Sequence, residues 1–325
     1  SRYTEMITKR IGLNKNSHVI EVASNDGYLL KNFVAAGIPC LGIEPTASTA
    51  AAAEKLGIPV LREFFGEALA QRFAAEGKQA DLILGNNVYA HVPDINDFTK
   101  GLATALKPGG TITLEFPHLM CLMEHTQFDT VYHEHFSYLS LYSVSQIFLQ
   151  AGLRVCDVEE LTTHGGSLRV YGCHADDERA TAPAVQAMLE EEASRGMRSL
   201  QSYQTFQSRA DRVKDDLLLF LIEQKRAGKH VAGYGAAAKG CTLLNYAGIK
   251  PDLLPYVCDA APSKQGKYLP GSHVPILHPD VLRERKPDVI LILPWNIQAE
   301  VTQQMAHVRE WGGKFAVAVP TIKVL

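Results

Sequence analysis

What most constrains this chain is an alternation that occurs twice: short apolar runs of strand length, each followed by a stretch of helical character. In the first half, residues 18–24, 40–44, 59–62, 81–85 and 111–116 read as strands, and residues 28–36 and 46–56 as helices. Leu-Lys-Pro-Gly-Gly at 106–110 carries the turn chemistry that ends a helix. Strands alternating with helices specify a doubly wound, mainly parallel sheet. Runs at 153–161 and 167–173 read as an antiparallel addition at the sheet edge. The alternation resumes at 231–235, 256–259, 288–293 and 314–319, which reads as a second α/β domain. Between the halves, residues 181–227 turn charged and helical, with no proline after Pro183 and Gly196 as the sole glycine. The expected division is therefore 1–178, a helical connector at 179–228, and 229–325.

The 325 residues, 46% hydrophobic and 21% charged, suit two globular domains, each able to bury its own core. A net charge of -3 offers no basic field, so nucleic acid is not expected as a partner. No apolar run approaches the roughly 20 residues that span a bilayer, and no membrane partner is expected. The first residues lack the apolar stretch of a secretory signal. Six cysteines lie far apart with no C-x-x-C pair, which argues against a cysteine zinc site or a disulfide framework. Reduced thiols and a cytoplasmic location are expected. Nothing in the pattern fixes an oligomeric state.

The first glycine-rich turn points to the cofactor. Glu21-Val-Ala-Ser-Asn-Asp-Gly27 leaves a strand and enters a helix, where an open α/β sheet places its ligand crevice. A dinucleotide site would want G-x-G-x-x-G there. Only Gly27 is present, and Glu21 and Asp26 would repel a diphosphate but welcome a cationic ligand with an amino-acid tail. Glu44 ends the second strand, where a carboxylate can accept both hydroxyls of a ribose. This pattern resembles the class I S-adenosyl-L-methionine (SAM) methyltransferases. The resemblance implies a Rossmann-like methyltransferase sheet whose cofactor-binding turn opens at Glu21, with Ser24, Asn25 and Gly27 surrounding the methionine part of SAM and Glu44 holding the ribose. Asn86 and Asn87, after the fourth strand, would line the adenosine and methyl-donor pocket.

A second cluster, Thr130-Val-Tyr-His-Glu-His-Phe-Ser-Tyr138, packs two histidines, a glutamate and two tyrosines just past the fifth strand. A histidine beside a carboxylate makes an oriented general base with a pKa near operating pH. His133 and His135 would face one metal only from a loop, and no metal is expected. With Asn86-Asn-Val-Tyr-Ala-His91 before it and His164-Gly-Gly-Ser-Leu-Arg169 after it, the Tyr-His-Glu-His-Phe string resembles one family: the nucleotide-sugar C-methyltransferases that methylate C-3 of 4-keto-deoxysugars. The resemblance runs across nearly the whole chain. It implies His135 or Tyr132 as the base, Glu134 as an assisting group, His91 as a stabiliser of the enolate oxygen, and His164 and Arg169 as substrate contacts. Family members usually open with a small zinc-binding module containing paired cysteines. None stands here, so the chain is either a fragment lacking it or a member that works without it.

In the second half, Gly233-Tyr-Gly235-Ala-Ala-Ala-Lys239 follows a strand and precedes a helix, a spacing that turns backbone N–H groups toward a diphosphate. By the same resemblance this half is a Rossmann-like domain binding a nucleotide-diphosphate sugar, with Tyr234, Ala236, Lys239 and Asp259 in contact. Lys264, Lys267 and Tyr268 follow as further phosphate or base contacts, and Trp295 is a pocket wall or core aromatic. Three other readings stand beside C-methylation: O- or N-methylation of a nucleotide sugar, an NAD-dependent dehydrogenase using the Gly233 turn, and an inactive nucleotide-sugar-binding protein.

Overall fold

The computed structural model describes residues 2–325. The chain forms two compact units, the first from the start to Met120 plus His135–Arg198, the second from Cys121–Glu134 plus Ser199–Leu325.

The first unit contains α1 (Arg2–Ile11), β1 (Val19–Val22), α2 (Leu30–Ala35), β2 (Cys40–Ile43), α3 (Ala47–Glu54), β3 (Val60–Leu61), α4 (Glu67–Ala75), β4 (Ala80–Asn86), α5 (Ile95–Ala105) and β5 (Leu106–Pro117). After α6 (Leu119–Glu124), which crosses the division, it continues with α7 (Leu141–Gln150), β6 (Leu153–Leu161), β7 (Ser167–His174) and α8 (Pro183–Ser194). Its seven-stranded sheet runs β3-β2-β1-β4-β5-β7-β6. The first five strands are parallel, and β7 and β6 add antiparallel at the edge, as the sequence predicts. Every residue of β1 is buried, because helices cover both faces of a parallel sheet. Glu21 is thus the one carboxyl in a fully buried, otherwise apolar strand. Helix α5 does end before the Pro-Gly-Gly turn, but Leu106 pairs with Ala80, so β5 begins earlier than expected and a register irregularity absorbs the turn.

The second unit holds α9 (Leu200–Gln204), α10 (Phe206–Arg226), β8 (Val231–Tyr234), α11 (Ala238–Tyr246), β9 (Val257–Cys258), β10 (Ile276–Leu277), α12 (Val281–Arg285), β11 (Val289–Ile292), α13 (Gln298–Gln304), β12 (Lys314–Val317) and β13 (Lys323–Val324). Its sheet runs β10-β9-β8-β11-β12-β13, with only β13 antiparallel. Strand β11 alternates its apolar side chains between two cores. Leu291 packs with Leu243 and Val257, while Ile290 and Ile292 pack with Tyr256 and Phe315. The charged helical stretch between the halves is shared: α8 packs on β6 and α7 of the first unit, and α10 on β8 of the second. No described helix is long and apolar enough to cross a membrane.

In each sheet the strand order reverses beside the first strand of its alternation, between β1 and β4 and between β8 and β11. Those are the positions where open α/β sheets bind ligands.

Candidate active site

The turn after β1 is held in an unusual backbone conformation. Ala23, Asn25 and Gly27 have φ values of 57°, 52° and 78°. A Cβ on Gly27 would lie 2.3 Å from Ile58 Cδ1 and 3.0 Å from Ala53 Cβ, so only glycine lets this turn pack down. Glu44 fixes the turn from the end of β2: its Oε2 accepts from the Asn25 N–H at 3.0 Å and its Oε1 from the Thr46 N–H at 2.8 Å. Each oxygen retains lone-pair capacity for a diol.

Three polar groups around this turn are buried without a protein partner: Glu21 Oε2, Ser24 Oγ and Asn86 Oδ1. Buried polar groups are normally satisfied, so orphans clustered at one turn point to a ligand that completes them. Burial, with a smaller push from Asp26, holds the Glu21 carboxyl well above the usual carboxylate range. Gly42 on β2 stands opposite Ser24, where a Cβ would meet the hydroxyl at 2.4 Å. Asn87, with φ 54°, gives its N–H to the Glu115 carbonyl at 2.8 Å.

Beside the turn lies a cleft of about 440 Å³, lined among others by Ala23, Pro45, Glu63, Phe64, Phe65 and His91. An apolar, aromatic cleft suits an adenine, the Glu44 carboxylate a ribose, and the Glu21 carboxyl a cationic tail. The residues therefore fit SAM. Phe64 is 84% exposed although it lines this cleft, an arrangement that core packing does not explain. The only sequence signal of Glu63, Phe64 and Phe65 is an acidic-aromatic triplet directly after the third strand.

His91 ends a 3₁₀ turn, Tyr89–His91, anchored by the buried Tyr89, whose hydroxyl pairs with Thr99 Oγ1 at 2.7 Å. The His91 ring packs edge-on against His135 at 4.7 Å between centroids, and His135 lies edge-on to Tyr138 at 6.0 Å. The Ala90 carbonyl accepts from the N–H groups of Phe136 and Ser137 at 2.8 and 3.2 Å. The segment at 131–138 is irregular rather than helical. Tyr132 and Glu134 belong to the second unit and His135 to the first, so the division of the chain falls inside the motif. Among the described residues no group of three or more His, Cys, Asp or Glu side chains is placed to hold a metal ion.

His164 is exposed, with φ 56°, in a tight turn with Gly165 and Gly166, and the Gly166 carbonyl accepts from the His118 N–H at 3.0 Å. Buried His118 in turn pairs through Nε2 with the fully buried Glu192 at 2.8 Å, and Glu192 also accepts the Leu141 and Tyr142 N–H groups that open α7. Neither residue was singled out from the sequence, since the pairing spans 74 positions.

Arg169, which the resemblance implies as a substrate contact, is paired within the sheet. Its guanidinium is only 13% exposed and binds Glu115 at 2.6 Å and Glu159 at 2.9 Å, over the ring of Tyr3. Glu115 and Arg169 sit directly opposite on β5 and β7, so the pair links the two strands.

In the second unit the turn after β8 repeats the device. Asp259 Oδ2 accepts from the Ala236 N–H at 2.7 Å and Oδ1 from the Ala261 N–H at 2.8 Å. Lys264 closes the arrangement on Asp259 Oδ2 at 3.2 Å and the Ala236 carbonyl at 2.9 Å. Gly235 has φ 89°, and a Cβ there would strike Pro294 at 2.5 Å. Tyr234 is buried in the core and Lys267 lies exposed on a loop. Lys239, in the first turn of α11, donates to Asn296 Oδ1 at 2.7 Å and lies 4.6 Å over the Trp295 ring. Burial lowers its pKa, and Asp129 partly offsets that.

Comparison with known proteins matches both halves. Residues 162–320 match the C-methyltransferase C-terminal domain family and residues 2–158 a methyltransferase domain family. Over 324 residues the chain is 36% identical to the C-methyltransferase NovU of Streptomyces niveus, covering 100% of this chain and 77% of that protein. Among solved structures it is similar to a SAM-dependent methyltransferase from Anabaena variabilis, with 14% identity over 54% of this chain and 84% of that one and a TM-score of 0.44. It is also similar to a magnesium protoporphyrin IX methyltransferase from Synechocystis with bound SAH, with 11% identity, 54% and 83% coverage and a TM-score of 0.42.

Proposed function

From the premise that this chain belongs to the C-methyltransferase family and is a methyltransferase using SAM, we propose that it methylates C-3 of a nucleotide-linked 4-keto-deoxysugar. The reaction would serve deoxysugar biosynthesis in the cytoplasm.

One observation carries the reading: His91 lines the SAM cleft and packs edge-on against His135 at 4.7 Å. An imidazole from the base-bearing segment therefore stands beside the methyl-donor cleft. Methylation of a hydroxyl or amine needs no carbon base, whereas a ketone acidifies its neighbouring C–H and calls for one. His135 or Tyr132 takes the C-3 proton and Glu134 orients the base. His91 donates to the oxygen on C-4 as it gains negative charge. SAM, when bound, would supply the methyl for C-3, its carbon–sulfur electron pair leaving with sulfur. Glu21, Ser24 and Asn86 would hold the methionine part and Glu44 the ribose.

The turn after β8 offers the N-terminus of α11 and the Lys239 ammonium to a diphosphate. Tyr234 and Ala236 shape that turn, Asp259 braces it, and Lys267 and His164 are outer contacts.

The test is a reaction in deuterated water with SAM and a panel of nucleotide-linked 4-keto-deoxysugars, read by mass spectrometry and NMR. A new methyl on C-3 is the expected result. Deuterium at C-3 without a methyl would show base action alone. A methyl on oxygen or nitrogen would overturn the reading.

A further inference from the structure

We infer that Asp129 is a positioning residue that sets the Tyr132–Glu134 segment through its hydrogen bond to Trp295, an inference that rests on the proposed role of that segment in proton abstraction. Asp129 is completely buried in a 3₁₀ turn, Phe128–Thr130, of the segment that belongs to the second unit. Its Oδ2 accepts from the Trp295 indole N–H at 2.7 Å, while Oδ1 is buried with no partner. The preceding residue, Phe128, is embedded in the core beside Leu243 and Leu244 of α11 and tilts against Tyr246 at 5.1 Å. The turn closes on itself, with Val131 donating to the Phe128 carbonyl at 3.0 Å and Thr130 to Gln127.

Tyr132 therefore hangs three residues from a fixed point, a leash of at most about 10 Å. A buried carboxylate facing an indole is costly unless the bond forms, so the contact holds the turn in one place. The same indole carries Lys239 over its ring, and Lys239 stands at the turn where the diphosphate is proposed to bind. The Trp295 ring thus joins the anion-binding lysine to the origin of the base-bearing segment. Deletion of the indole N–H should loosen the segment without emptying either ligand site.

The test variant is Trp295→Phe, which keeps an aromatic wall and a face for Lys239 but removes the donor. Hydrogen–deuterium exchange of peptides covering 125–134 should rise roughly tenfold or more, while peptides of β1 and β2 stay as in the wild type. With a 4-keto-deoxysugar substrate, kcat should fall roughly tenfold or more, with the sugar KM and the SAM Kd within about twofold. Asp129→Asn, which keeps an acceptor for the indole, should leave the exchange near the wild type. Unchanged exchange in Trp295→Phe, equal loosening in both variants, or a raised KM with kcat intact would each overturn the inference. If the wild-type protein methylates no 4-keto sugar, the proposed function fails, and the exchange measurement alone decides whether Trp295 fixes the segment.

Discussion

Glu44 and Asp259 occupy the same place in two separate sheets: each follows the second strand, accepts an N–H of the turn after the first strand, and accepts the N–H two residues further along the chain. The carboxylates thus brace their glycine-containing turns. Replacing Glu44 by Ala would strand two backbone donors at a turn already strained by positive φ values. We expect a loss of ~2–4 kcal/mol in urea unfolding and SAM affinity lowered by at least about tenfold. Glu44→Gln keeps one acceptor and should lose about half as much stability. If Glu44→Ala weakens SAM binding with no change in the unfolding midpoint, the bracing role is wrong.

That double duty explains how far the sequence could be read. The strand–helix alternation has a short period, so the first sheet, its antiparallel edge and both glycine-containing turns were legible, whereas the two-residue strands β10 and β13 of the second sheet were not. The partners of the carboxylates were not, because Glu44 reaches back 19 residues and Asp259 reaches back 23. The partner of Arg169 was hidden for the same reason: a motif string places it beside His164, and only the β5–β7 register sets it opposite Glu115. The return of Cys121–Glu134 to the second unit also left no local signal, since it depends on Phe128 and Asp129 finding partners more than 100 residues away.

Glu21 should show its burial in the pH dependence of the ligand-free protein. Its carboxyl pKa is raised in the folded state, by burial first and Asp26 second. The folded state therefore holds a proton that the unfolded state has released, and stability falls as pH rises from about 4.3 toward the raised value. Glu21→Gln removes that penalty. Without ligand it should be more stable than the wild type by ~1–3 kcal/mol at pH 8, with the gap closing near pH 4. SAM binding should move the opposite way, weakened about tenfold by loss of the carboxylate. Calorimetric titration beside thermal melts checks both signs, and equal SAM affinity in the two proteins would detach Glu21 from the site.

Phe64 separates ligand binding from folding. At 84% exposure it contributes almost nothing to the core, so Phe64→Ala should leave the melting temperature within about a degree of the wild type. The ring lines the cleft, and loss of its stacking surface should weaken SAM by roughly five- to twentyfold. Stability and affinity measured on the same preparation decide it; a lowered melting temperature with intact SAM binding would make Phe64 structural.

Arg169 should behave in the reverse manner. Removing its guanidinium leaves Glu115 nearly buried beside Thr113 and Tyr3 with its main counter-charge gone. Arg169→Met is expected to cost ~3–5 kcal/mol of stability. Adding Glu115→Gln to that variant removes the stranded charge and should recover most of the loss, a non-additivity that a double-mutant cycle reads directly. Tyr171, whose hydroxyl donates to Glu159 at 3.0 Å, keeps that carboxylate partnered in the double variant, so recovery does not depend on Glu159. A raised sugar KM in Arg169→Lys with an unchanged melting temperature would return the residue to the substrate site and overturn the structural assignment.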